Sequence, residues 1–68
     1  MKQWQMNQVL DQAEIVLKER GYENFERQTG EVDLDSLTYL VASAPDGRKA
    51  EAYPRDTQSG VTYKIYED

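Results

Sequence analysis

The residues with the most obvious chemical potential are carboxylates at alternate positions, Glu31-Val32-Asp33-Leu34-Asp35. In one extended strand Glu31, Asp33 and Asp35 would project to the same side, and three carboxylates on one edge can hold a hard cation or oppose a basic partner. A calcium loop also needs a glycine at a set position and a terminal bidentate glutamate, which this stretch lacks. The trio therefore reads as a solvated strand face and a candidate partner-binding edge, and no metal site is assigned. Histidine and cysteine are both absent from the chain, so the commonest general base and the best thiolate nucleophile are missing. Serine, threonine, lysine and carboxylate chemistry stays open on paper, but no spacing pairs a nucleophile with its base. The expectation is a binding module, not an enzyme, with no catalytic residues and no cofactor.

Tyr22, Tyr39, Tyr53, Tyr63 and Tyr66, with Trp4 and Phe25, form a large aromatic set for 68 residues. Aromatic side chains fill thin cores and also concentrate at binding hot spots. Tyr66, Tyr53 and Trp4 are the members expected at the surface, and they join Glu31, Asp33 and Asp35 as partner-binding candidates. Arg48, Lys49, Arg55 and Lys64 lie in the second half, whereas Glu14, Glu19, Glu23, Glu26, Glu31, Asp33 and Asp35 crowd the first. Cross-strand ion pairs, Lys49 or Lys64 with Glu51, are the expected use of part of this charge. A net charge of −5 argues against direct nucleic-acid binding and against an anionic membrane surface, both of which need surplus lysine and arginine.

These side chains must be positioned by few elements. A chain this short makes one domain, residues 1–68, and buries only about 60% of its unfolded surface. No apolar run approaches the roughly 20 residues that span a bilayer, and the first residues lack a signal-peptide core. As written the chain reads as cytoplasmic; a leader removed ahead of Met1 would place it in the periplasm or outside the cell. Met6, Val9, Leu10, Ala13, Val16 and Leu17 recur at three- and four-residue steps, predicting an amphipathic helix over about residues 4–20. Gly21 suits its left-handed C-terminal cap, and Ile15 flanks the apolar stripe. Beyond Gly21 the pattern alternates and is rich in tyrosine, valine and threonine. It predicts strands at Phe25–Leu34, Leu37–Ala44, Arg48–Tyr53 and Val61–Tyr66. Ala44-Pro45-Asp46-Gly47-Arg48 is a hairpin turn, with Gly47 at positive φ. Pro54 is expected to end the third strand, leaving Arg55–Gly60 as a loop. Val61, Tyr63 and Ile65 should face the helix; in the second strand either Tyr39 and Val41 or Leu40 and Ala42 could do so. The fold class is α+β: one N-terminal amphipathic helix on a three- or four-stranded antiparallel meander sheet, whose second face is left open for contact.

The order of these signals, in Glu19-Arg20-Gly21-Tyr22, Tyr39-Leu40-Val41-Ala42, Pro45-Asp46-Gly47-Arg48-Lys49-Ala50-Glu51-Ala52-Tyr53 and Ser59-Gly60-Val61, resembles the PepSY family. The chain departs from that pattern after Tyr53, where it runs into Pro54-Arg55-Asp56. The resemblance implies a helix laid over an antiparallel sheet, without enzymatic activity, that binds a protein partner such as a peptidase in an inhibitory or regulatory role. The alternative is an acidic inhibitor of phage or mobile-element type, of the anti-CRISPR or anti-restriction kind. Its carboxylates would occupy the basic groove of a host nucleic-acid-binding complex in place of phosphates. An exposed strand edge also leaves room for a homodimer.

Overall fold

The residues that recur at helical spacing, Met6, Val9, Leu10, Ala13 and Leu17, form the buried stripe of a single helix, α1 (Gln3–Glu19). The computed structural model describes residues 1–32 and 35–68, without the side chains of residues 32 and 35. At the helix start, Gln5 Oε1 accepts the backbone N–H of Lys2 at 2.8 Å. This is the returning half of a capping box; lysine has no acceptor to supply the other half. At the helix end, Gly21 takes φ 97°. The N–H of Tyr22 donates to Leu17 O and that of Gly21 to Lys18 O, each at 3.1 Å. These two bonds are a Schellman cap, and Tyr22 and Leu17 are both buried in the same core cluster, as the motif's apolar contact requires. Ile15 lies farther from the stripe than expected and is 60% exposed.

Four strands follow, β1 (Asn24–Val32), β2 (Asp35–Ser43), β3 (Lys49–Thr57) and β4 (Gly60–Glu67), paired antiparallel in chain order as a meander. The β2–β3 turn is built as its residues predict. Gly47 has φ 93°, its N–H donates to Ala44 O at 3.0 Å, and the Asp46 carboxylate accepts from Arg48 N at 3.1 Å and Nε at 2.8 Å. Those donors hold the Asp46 carboxyl below its ordinary range.

Two expectations are corrected. The described first strand is Asn24–Val32, and Val32 opposes Asp35, so Glu31 and Asp35 belong to different strands and do not share one strand face. Asp33 and Leu34, the remainder of the expected strand, lie outside the described residues. The third strand does not stop at Pro54 but continues through Arg55 and Asp56 to Thr57. The β2–β3 pairing ends at Leu40↔Ala52, while Pro54 still opposes Tyr63 of β4. Counting in twos from the closing pair Thr57↔Gly60 puts Pro54 at a position that makes no bond to β4. Its missing N–H faces the side where the β2 ladder has already ended, which is where a strand tolerates proline.

The helix lies on the face made by Leu40, Ala42, Ala50, Ala52 and Pro54, all buried, with Phe25, Tyr63 and Ile65 packed at its margins. That settles the ambiguity in β2: Leu40 and Ala42 face α1, and Tyr39 and Val41 face away. The side chains of Leu10, Leu17 and Leu40 are the largest ones fully enclosed, each stabilising by about 1.5–3 kcal/mol. Between them the alanines let the helix backbone approach the sheet closely. On the β1 flank, Arg27 bridges the two layers, donating to Asn7 Oδ1 at 2.9 Å and to the Asp11 carboxylate.

Candidate functional site

Strand alternation puts every second residue of the meander on the face that α1 leaves open. There Tyr39 and Val41 of β2 meet Glu51, Tyr53 and Arg55 of β3 and Lys64 and Tyr66 of β4. The Tyr39 and Tyr53 rings stack with centroids 5.1 Å apart and planes inclined by 16°. Tyr66 meets Tyr53 edge-on at 5.7 Å and 78°, and the Lys64 ammonium sits 5.3 Å from the Tyr66 ring centre. Three strands thus carry one aromatic ladder across the sheet, in the offset and edge geometries that aromatic quadrupoles favour.

The polar groups of this face are tied to one another. Tyr39 Oη donates to Gln28 Oε1 at 2.8 Å, Tyr53 Oη donates to Glu51 Oε2 at 2.5 Å, and Arg55 Nη2 donates to Tyr66 Oη at 2.8 Å. The Glu51 carboxylate, and with it partial burial, pushes the Tyr53 phenol up to about 12. A phenol held this firmly protonated serves as a fixed donor and not as a base or nucleophile near neutral pH. Arg55 and Lys64 supply cationic donors at the rim. Glu51, Tyr53, Arg55 and Tyr66 surround a shallow depression of about 410 Å³.

Of the candidates expected from the sequence, Tyr53 and Tyr66 come together here. Tyr66 is 42% exposed as expected, whereas Tyr53 is half-buried because Tyr39 and Tyr66 cover it from both sides. Trp4 is 61% exposed but stands on α1, on the opposite side of the sheet. Glu31 is exposed near the far end of β1; Asp33 lies outside the described residues, as does the side chain of Asp35. Tyr39 and Arg55 are site residues that sequence reasoning passed over. In the sequence Pro54 points to a loop at Arg55, and nothing in β2 alone decides which face Tyr39 takes; the alternation of Glu51, Tyr53 and Arg55 is the signal for the former. The expected pairing of Lys49 or Lys64 with Glu51 does not occur among the described residues. Glu51 accepts from Tyr53, and Lys64 lies over Tyr66.

Among the described residues no group of three acidic side chains is placed to hold a metal ion, and no helix is long and apolar enough to cross a membrane. Comparison of the chain with protein-family models, curated proteins and solved structures gave no match.

Proposed function

We propose that the chain is a non-enzymatic protein-binding module that docks a partner protein on its open sheet face. The observation that carries this reading is the ladder Tyr39–Tyr53–Tyr66 with Arg55 bonded to its end. Tyrosine and arginine are the residues enriched at the energetic centres of protein interfaces. Here stacking and the Arg55–Tyr66 hydrogen bond hold them in place within the chain itself, which reduces the side-chain entropy lost on binding. The resemblance of the sequence to the PepSY family implies inhibition or regulation of a partner such as a peptidase, and that is the role proposed.

The test is affinity capture with the wild-type chain beside Tyr66→Ala and Arg55→Ala, followed by direct titration of whichever protein the wild type retains. Each substitution is expected to weaken binding at least about tenfold, a loss of about 1.4 kcal/mol, while circular dichroism shows a folded domain. Unchanged affinity in both variants refutes the sheet-face reading. Binding that instead collapses on raising salt, and on changing Glu31, Asp33 and Asp35 to amides, assigns the partner to those carboxylates.

A further inference from the structure

Beyond the open face, the described strands leave two free edges, and they differ in chemistry. The β1 edge carries exposed Glu26, Arg27 and Glu31, and Gly30 interrupts its row of side chains. The β4 edge reads Gly60-Val61-Thr62-Tyr63-Lys64-Ile65-Tyr66-Glu67, eight residues without proline. Its terminal carboxylate is drawn back to the helix, where Glu67 accepts from Arg20 Nη1 and Tyr22 Oη, each at 3.2 Å. The alternation that excuses Pro54 also fixes which groups of β4 are free. Gly60, Thr62 and Lys64 turn their backbone toward β3, so Val61, Tyr63 and Ile65 turn N–H and C=O outward. Around Val61 the helix flank beside this edge is uncharged. Trp4, Gln8, Val9 and Gln12 line, with Val61, a groove of about 220 Å³. In a chain with 13 carboxylates, the stretch Val61–Ile65 carries none: its charged residue is Lys64, over the Tyr66 ring, and Glu67 at the strand end is paired with Arg20.

We propose that this edge pairs antiparallel with the β4 edge of a second copy, with the two-fold axis at Tyr63. The register follows from the residues. Centring on Tyr63 sets Val61 of one copy opposite Ile65 of the other, twice, on the helix side of the sheet. On the open side it sets Thr62 opposite Lys64, twice. Apolar side chains meet apolar ones, no like charges face each other, and the outward N–H and C=O groups of Val61, Tyr63 and Ile65 all find partners. Centring on Lys64 would put ammonium against ammonium, and centring on Ile65 would put Glu67 against Tyr63 and shorten the overlap. The isologous pairing makes an eight-stranded sheet, turns the two helix flanks toward each other and doubles the tyrosine face. It stands independently of what that face binds.

Sedimentation equilibrium of the full chain, from micromolar to millimolar concentration, tests the pairing. Thr62 is exposed, so its substitutions leave the core intact. Thr62→Glu is expected to tighten the dimer about fivefold over the two symmetric pairs with Lys64, and Thr62→Lys to weaken it by a similar factor. Both shifts run against the change in net charge, which alone would predict the reverse. N-methylation of Tyr63 in a chemically synthesised chain removes an outward donor while keeping the side chain, and should abolish the dimer with unchanged circular dichroism. A chain that stays monomeric to millimolar concentration overturns the proposal. So does a dimer that ignores the Thr62 substitutions and the N-methyl group alike.

Discussion

Tyr53 shows how one residue's position in the sheet sets its chemistry. Its ring is held between Tyr39 and Tyr66 and its hydroxyl donates to Glu51, so ionisation would place a phenolate against a carboxylate. The phenol is therefore pushed up to about 12. Because this folded pKa lies above the unfolded one near 10, the contribution to stability is fully present below about pH 10. It is lost as pH rises through the folded value. Ultraviolet titration of the tyrosines should show a phenol that ionises near 12; Glu51→Gln should bring it down, and Tyr53→Phe should remove it. A titration unchanged by Glu51→Gln would show that the carboxylate is not the cause.

At the scale of elements, the end of α1 is the joint that sets the helix on the sheet. Gly21 supplies the left-handed turn of the Schellman cap, and a Cβ there would stand 2.9 Å from Arg48 Nη2. Arg48 itself lies over the Tyr22 ring, 5.1 Å from its centre, and is held at its base by Asp46. One glycine thus links the helix end to the β2–β3 turn. Gly21→Ala is expected to destabilise the fold by about 1–2 kcal/mol, mostly through the positive φ, since the arginine tip can move aside. Urea denaturation measures this, and a midpoint within error of the wild type would show that the cap can be rebuilt. The cap and the Pro45–Gly47 turn were both legible in the sequence, because each depends on residues within one turn of the chain. The course of β3 past Pro54 was not, since proline ends a strand only where a neighbouring strand needs its N–H. Where β2 stops pairing is a fact about a distant segment.

At the scale of the whole molecule, a single helix over a single sheet leaves a core one side chain thick. Its central residues are alanines, Ala42, Ala50 and Ala52, each at most 2% exposed. The radius of gyration, 12.0 Å, exceeds the about 11 Å typical of this length, as a flat two-layer shape requires. Such a core has no slack. Ala52→Leu is expected to cost about 1–3 kcal/mol by overpacking. That is a large part of the stability of a domain this small, and it should appear as a lower melting temperature in calorimetry. An equal or higher melting temperature would mean that the helix can lift from the sheet without loss.

The chain's own sequence determined the helix and its apolar stripe, the glycine cap, the Asp-Gly hairpin, and the choice of Val61, Tyr63 and Ile65 as the helix-facing row of β4. These follow from local conformational preference and from periodicity, which act over a few residues. Only the tertiary structure decided that Leu40 and Ala42 face the helix while Tyr39 turns away, and that Tyr39, Tyr53 and Tyr66 line up across three strands. It also decided that Trp4 and the tyrosine ladder occupy opposite sides of the sheet. Those outcomes depend on the register between strands far apart in the chain. A shift of one residue exchanges the two faces of a strand, and register is chosen by which face the helix can bury.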